Sequence, residues 1–405
     1  MVFGRKRSMR KELIENDYKK TSDCYYLAGN AIIFLFVVIL IFQFLGICSV
    51  LFGNIILLFL GILSIMISIM ANGFSRQKYF FSFLFCYISL GFLCFIYNRN
   101  ADIQELIWPF GFMGVALLLL NVNISYRLFS FLFYSFSFLI ILLIIVNGSP
   151  DAVEGNSSRN AISQFELLLF SLVCISAFEN RKSVTLLYPT TIFVVCVAAI
   201  GRSGILMSLI ILFLFLFVKL QDGVSKRRKI ITLILTIGLS VFAVYIAYRI
   251  FPDMFESAIL NFKNRQIDSA RTFIWHDYLE KTNGSVLNVL LGSNISGTEY
   301  LNKYSHNLHN SFFMLHAKYG VGGLILIGFL LIKSIFYFLK NKNFYFLIPL
   351  LAMLFRMCFD YTNFNSDFDI VLVFFLLFPH YSVLNARTYS SRFAKKNLRL
   401  VFIND

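Results

Sequence analysis

The chain has 405 residues, of which 58% are hydrophobic and only 14% are charged, and its formal net charge is +15. This composition excludes a water-soluble globular protein, because such a protein would leave large apolar patches in contact with water. The remaining class is an all-α polytopic integral membrane protein, since the sequence lacks the ten-residue alternating strands of a lipid-facing barrel.

Long apolar runs separated by short polar breaks predict about twelve membrane-spanning helices. The predicted spans are residues 27–46, 53–71, 79–97, 105–121, 127–147, 162–179, 184–200, 204–220, 229–250, 311–339, 343–360 and 368–385. An even number of spans places both chain termini on the same side of the membrane. Residues 27–250 thus hold the first nine spans and residues 311–385 the last three.

Positive charge indicates which side of the membrane each loop faces, because Lys and Arg in short loops are retained in the cytoplasm. Every second loop is basic, whereas the opposite short loops before residue 251 hold only Arg99, Arg159 and Arg202. Residues 1–26 and 386–405 are therefore predicted to be basic cytoplasmic tails. The orientation of the basic loops toward the cytoplasm explains most of the positive charge. The sequence therefore requires no nucleic-acid partner.

The longest polar segment, residues 251–310, is predicted to be a large loop on the outer face. Within it, DSARTFIWHDYLEK predicts a short helix capped by Asp268 or Ser269, because Phe273, Ile274, Trp275 and Tyr278 recur at helical spacing. Channels and simple flippases do not require such a loop. It therefore indicates chemistry or recognition at the outer membrane surface.

Three arginines are predicted to lie near that surface. Arg202 stands in a GRS turn between two apolar runs, where a charge costs roughly 2.5–3.5 kcal/mol if it reaches the bilayer centre. The alternative is that Arg202 extends to lipid phosphates. Arg356 precedes Asp360 by four residues, which suits either an intramembrane ion pair or a ligand site. With Arg271, these guanidinium groups predict an anion pocket suited to a diphosphate.

Three of the five histidines fall between residues 306 and 316. A zinc site is conceivable because His309 and His316 would share a helix face, but no carboxylate or cysteine completes an evident ligand set. The sequence therefore predicts neither metal nor cofactor. His306 is assigned to the loop, His316 to interfacial packing and His276 to the loop-helix surface. His309, followed by Asn310 where the chain re-enters the membrane, is the candidate functional histidine.

The stretch HNSFFMLHAKYGVGG consists of His309 and Asn310, nine further residues, Gly320, two residues and Gly323. This pattern resembles the signature of the bacterial O-antigen polymerase and O-antigen ligase superfamily, in which a conserved histidine ends a large periplasmic loop. The GRS turn at Arg202 fits the same resemblance. The similarity covers the layout of the whole chain, while the specific motifs lie within residues 200–380.

Two further stretches resemble the superfamily. SARTFIW looks like its Arg-x-x-x-Trp element, at Arg271 and Trp275. FRMCFDYTNFNSDFDIVLVFFLL looks more like the polymerases, in which an arginine and an acid, here Arg356 and Asp360, precede a short outer loop and a final helix. The resemblance therefore favours a polymerase and leaves the ligase as the alternative.

The resemblance implies a glycosyltransferase that acts on undecaprenyl-diphosphate-linked glycans at the periplasmic face of the bacterial inner membrane. A polymerase moves the growing chain from its lipid diphosphate to the non-reducing end of a lipid-linked repeat unit, whereas a ligase moves the finished chain to lipid A core. Expected partners are the lipid-linked donor and acceptor, membrane lipid and a chain-length regulator protein.

The implied reaction needs a proton acceptor and stabilisation of the leaving diphosphate. His309 is the expected base; in an alternative it donates to the diphosphate while Asp268, Asp277 or Glu299 acts as base. The expected substrate-binding residues are Arg202, Ser203, Arg271, Trp275, Asn310, Arg356 and Asp360. A flippase would be expected to carry internal repeats and mid-membrane binding residues, and a structural protein would explain neither the large loop nor Arg202.

Overall fold

The computed structural model describes residues 24–100, 103–150, 153, 160–221, 270–296, 301–302, 307–364, 366 and 368–383, with isolated positions between 234 and 256. Within these ranges all regular secondary structure is helical. The helices are α1 Cys24–Phe44, α2 Val50–Asn72, α3 Lys78–Asn98, α4 Ile103–Asn121, α5 Tyr126–Asn147, α6 Asn160–Glu179, α7 Leu187–Ala198, α8 Arg202–Gln221, α9 Ala270–Asn283, α10 Val286–Leu291, α11 Ser311–Lys340, α12 Phe344–Phe359 and α13 Asp369–Val383.

The structure confirms a helical protein of membrane-spanning character. Among the described residues, seven helices are long and apolar enough to cross a membrane, and four shorter apolar helices accompany them. These coincide, to within a few residues at each end, with eleven of the predicted spans. The ninth predicted span, residues 229–250, lies mostly outside the described residues, so the count of twelve stays a prediction.

Helix α6 forms the centre of the bundle. It packs against α5, α7, α8 and α12. Of the 18 residues in its most apolar stretch, 83% are buried, compared with 28% in the corresponding stretch of α2. Its one buried acid, Glu166, accepts hydrogen bonds from the Ser137 hydroxyl of α5 at 2.9 and 3.1 Å. The outer helices instead expose large side chains such as Phe85 and Phe131, as expected where the surroundings are as apolar as the side chains.

Four helix ends meet at one end of this bundle. Arg356, in the last turn of α12, donates to the Asn160 carbonyl at the start of α6 and to Ser203 in the first turn of α8. Asn310, the N-cap of α11, donates to the Cys358 carbonyl of α12 at 2.9 Å. The N-terminal ends of α6, α8 and α11 therefore surround the C-terminal end of α12.

The predicted loop helix is confirmed as α9, and its predicted caps, Asp268 and Ser269, lie outside the described residues. Helices α9 and α10 are held on α11 by the buried His316. Its Nδ1 lies 2.7 Å from the Tyr278 hydroxyl of α9 and its Nε2 lies 2.8 Å from the Val289 carbonyl of α10. Because a carbonyl only accepts, Nε2 carries the proton and Nδ1 accepts from Tyr278. His316 is thus a packing residue, as predicted.

Two glycines allow the backbones of α10 and α11 to touch. A Cβ at Gly320, whose φ is +63°, would lie 2.3 Å from the Leu290 carbonyl oxygen. A Cβ at Gly292, whose φ is +81°, would lie 2.3 Å from the His316 carbonyl oxygen. The left-handed φ at Gly320 also kinks α11. The Ala317 carbonyl, one turn before the kink, accepts from the side-chain amides of Asn98 and Asn100, each at 2.8 Å.

Candidate active site

A buried arginine forms the base of the candidate site. The Arg356 side chain is 1% exposed. Its Nη1 donates to the Ser203 hydroxyl, and its Nη2 donates to the Asn160 carbonyl at 3.3 Å and to Asp360 Oδ2 at 3.5 Å. One guanidinium group therefore ties α6, α8 and the end of α12 together. In this arrangement Arg356 holds Ser203, Asn160 and Asp360 in place. This agrees with the sequence interpretation of Arg356 and Asp360 as an ion pair.

Asp360 joins this arginine to the predicted histidine. Its Oδ1 lies 3.6 Å from His309 Nδ1 and accepts from the Tyr361 backbone N–H at 3.1 Å. Burial raises the pKa of Asp360, but the His309 contact and the charges of Arg356 and Arg271 more than offset it, so the pKa lies below its usual value. Asp360 is therefore a carboxylate that faces Nδ1 of His309.

His309 is held in an uncommon backbone conformation. Its φ is +48°, a left-handed value that non-glycine residues adopt rarely. Its backbone N–H donates to the Asn307 side-chain oxygen at 2.8 Å, which stabilises the turn before α11. The imidazole is 29% exposed. The site thus presents a partly exposed histidine backed by a buried carboxylate, the arrangement that orients a general base.

Three of the six described non-glycine residues with positive φ lie in the stretches that meet here; the others are Arg99, Arg181 and Lys342. Besides His309, Ile200 and Phe364 have φ values of +54° and +69°. Ile200 precedes the GRS turn, and Phe364 follows Asp360. Left-handed φ is costly for non-glycine residues, above all for β-branched ones, and such residues gather at functional sites. Each of the three stretches that meet here therefore contains one such residue.

Asn310 and Trp275, predicted to bind substrate, both make contacts within the protein. Asn310 Oδ1 accepts from the Phe312 and Phe313 backbone N–H groups at 2.9 and 3.1 Å, as an N-cap of α11 does. Trp275 Nε1 donates to the Leu308 carbonyl at 2.8 Å, immediately before His309. These two residues therefore position the His309 turn from two sides.

Arg271 lies on the same helix as Trp275, one turn earlier. Its side chain is partly buried, and its charge contributes to the lowered pKa of Asp360. Because Trp275 fixes α9 beside the His309 turn, the Arg-x-x-x-Trp spacing places the guanidinium group on the site's side of α9. The structure thus brings Arg271 into electrostatic range of the carboxylate, as the sequence suggested for an arginine cluster.

Arg202 is the first residue of α8, and its side chain is exposed. The first helical backbone bond there runs from the Ile205 N–H to the Gly201 carbonyl at 2.9 Å. The preceding amides of the first turn have no intrahelical partner, and Gly201 has no side chain to cap them. Such a helix N-terminus attracts anions, and Ser203 beside it is tied to Arg356. Arg202 is therefore the most accessible cation of the predicted arginine set.

The sequence interpretation missed a second buried cation. Lys318, which the sequence analysis did not single out, is only 5% exposed. Its Nζ donates to the Tyr361 hydroxyl at 3.1 Å, and that hydroxyl donates to the Phe364 carbonyl at 3.0 Å. The signal was present, because Lys318 interrupts an apolar segment inside a predicted span, where a charge is costly.

Ser311, also missed, connects α11 to the residues that follow α12. Its hydroxyl donates to the Asp360 carbonyl at 2.9 Å and accepts from the Thr362 backbone N–H at 3.0 Å. Ser311 is completely buried. A serine in the first turn of a helix is common, so the presence of Ser311 at this position did not indicate a contact with the residues after α12.

Several other candidates lie away from this cluster or outside the described residues. His276 is exposed on α9, where its Nδ1 lies 3.7 Å from Glu280 Oε2, as expected for a surface histidine. His306 and two of the alternative bases, Asp268 and Glu299, are outside the described ranges. Among the residues that the structure describes, no three His, Cys, Asp or Glu side chains form a metal-binding group.

Comparison with known proteins adds no relative to this picture. No family model matches the chain, and no curated protein matches it. Functional assignment must therefore begin with the contacts of His309, Asp360, Arg356, Ser203 and Arg271.

Proposed function

We propose that the protein is a metal-independent glycosyltransferase that transfers a glycan from a polyprenyl diphosphate to a second lipid-linked glycan, as an O-antigen polymerase does. The observation that carries the proposal is the convergence of His309, Asp360 and Arg356 with the GRS turn and Arg271 at one end of a helical membrane bundle. These residues come from four distant stretches of the chain.

The proposed site separates two chemical tasks. Asp360 orients His309 through Nδ1, so Nε2 is the atom that accepts the proton of the acceptor hydroxyl. Arg202, the amides of the α8 N-terminus and Arg271 stabilise the diphosphate that leaves when the sugar C1–oxygen bond breaks. Arg356 holds Asp360 and Ser203 in place. The proposal thus assigns Arg356 a positioning role and gives the diphosphate contact to the more exposed arginines.

Deletion of the gene tests the proposed reaction through the surface glycan. A lost polymerase should leave single repeat units on lipid A core, because unpolymerised units are still attached. Long lipid-linked polymer with bare core would instead indicate the ligase reaction. An unchanged surface glycan would reject both reactions. Gel separation of the surface lipopolysaccharide distinguishes these three outcomes.

Replacement of Arg202 tests the diphosphate contact. We expect Arg202→Ala to abolish polymer formation and Arg202→Lys to be nearly as poor, since an ammonium group cannot form the two-point contact of a guanidinium group. Neither change should lower the thermal stability of the purified protein, because Arg202 is exposed. Polymer length in cells and the melting temperature in detergent are the measurements.

Arg127 provides a matched control. It is also an exposed arginine in the first turn of a helix, but its helix begins at the opposite end of the bundle, where the Ile124 N–H donates to Glu179 at the end of α6. Arg127→Ala should leave polymer length unchanged. Full-length polymer in Arg202→Ala would remove Arg202 from the proposed site.

A further inference from the structure

Helix α10 exposes an apolar surface along its whole length. The exposed fractions are 74% for Val286, 52% for Leu287, 41% for Val289 and 47% for Leu290, and none of its residues is buried. The Ser285 hydroxyl caps the helix by accepting from the Leu287 N–H at 3.2 Å. Apolar side chains so concentrated on one short helix indicate a surface that contacts something other than water.

The position of α10 is fixed by hydrogen bonds to the end of α3. Asn98, the last residue of α3, donates to the Leu291 carbonyl at 2.8 Å and to the Gly292 carbonyl at 3.2 Å. The Tyr97 hydroxyl donates to Asn288 at 2.9 Å. On the other side, His316 donates to Val289. Helix α10 is therefore held at the end of a candidate membrane span.

The apolar surface of α10 lies beside the end of α3, whose exposed face is also apolar. Along the last two turns of α3, Phe92, Leu93 and Ile96 are 50%, 55% and 61% exposed. As α3 is long and apolar enough to span a membrane, these side chains belong to its lipid-contacting face. Tyr97 links that face directly to α10, and tyrosine is typical of the boundary between lipid and water.

The neighbouring helix α9 differs in chemistry. Its exposed face includes His276 and Glu280, whose side chains lie 3.7 Å apart and are each at least three-quarters exposed. Helix α10 carries no charged residue. Helix α9 also exposes Phe273 and Leu279, at 49% and 44%, but among charged side chains, whereas the exposed side chains of α10 are all apolar.

We propose that α10 is an interfacial membrane anchor that inserts Val286, Leu287 and Leu290 among lipid acyl chains on the His309 side of the bundle. The lipid surface is its partner, and the inference does not depend on the proposed glycosyltransferase reaction. The same helix contacts α11 through His316 and Gly320. It therefore holds the loop that carries Arg271 and Trp275 at the level of the membrane surface.

Tryptophan quenching tests the anchor in the full-length protein. Val286→Trp and, as a second reporter on the same face, Leu290→Trp are reconstituted in phosphatidylcholine vesicles whose acyl chains carry bromine at defined depths. The emission of the parent protein, which has two tryptophans, is subtracted. Glu280→Trp on α9 is the matched control, and size-exclusion profiles establish that each variant is folded.

For either α10 reporter we expect a blue-shifted tryptophan emission that is quenched most strongly by bromine near the carbonyl end of the acyl chain. For the α9 control we expect no such quenching. Two results would overturn the proposal. One is water-like emission at α10 with quenching by aqueous acrylamide and none by brominated lipid. The other is strongest quenching by bromine near the methyl end, which would place α10 deep in the bilayer.

Discussion

Replacement of His309 by alanine is expected to abolish glycan polymerisation while the protein still folds and reaches the membrane. Loss of a general base lowers a reaction rate by about 10²–10⁴-fold, which is enough to remove long polymer from the cell surface. The side chain is 29% exposed, and its Nδ1 lies 3.6 Å from Asp360 Oδ1. The measurements are polymer length in cells and single-turnover transfer by purified protein with a polyprenyl-diphosphate-linked donor.

His276 is the matched control for this substitution, because it is a histidine of the same loop whose described partner is the exposed Glu280. His276→Ala should leave polymer length and transfer rate unchanged. His316→Ala should behave differently again, lowering stability, since the buried imidazole bridges Tyr278 and Val289. Long polymer in the His309→Ala strain would exclude His309 as the base.

The helical scaffold could be predicted because the length of an apolar run is itself a physical constraint. A helix must be about 20 residues long to cross the hydrocarbon core, and polar breaks between such runs mark where helices end. The sequence therefore indicated α1–α8 and α11–α13 to within a few residues. It could not indicate the kink at Gly320, because a glycine inside a helical run also suits simple close packing.

The site was predictable only where its contacts are local. Arg356 and Asp360 are four residues apart, so helical geometry alone suggested their ion pair. Arg356 and Ser203 are 153 residues apart, and nothing in helical periodicity indicates which helix ends meet. The capping role of Asn310 is also a local contact, although the sequence had assigned this residue to substrate binding, whereas the bond from Trp275 to Leu308 depends on tertiary packing. The contact of Lys318 with Tyr361 could not be foreseen either, because Tyr361 follows α12 and meets α11 only through tertiary packing.

Replacement of Arg356 by leucine is expected to destabilise the protein strongly and to abolish activity. Removal of one partner of a buried ion pair leaves an uncompensated charge, which typically costs about 3–5 kcal/mol. Here that charge is Asp360, which would also lose its link to α6 and α8 through Asn160 and Ser203. The measurement is thermal unfolding of the purified protein in detergent, compared with the parent and with Arg202→Ala.

A second substitution, Asp360→Asn in the Arg356→Leu background, separates folding from function. Removal of the unpaired charge should recover much of the lost stability, because replacing both partners of a buried pair is often close to neutral. Activity should not return, since His309 would then lack the carboxylate that orients its Nδ1. If the double variant were stable and formed polymer of parental length, the ion pair would be a structural link alone. If Arg356→Leu alone were as stable as the parent, Arg356 would not be the residue that holds the ends of α6, α8 and α12 together.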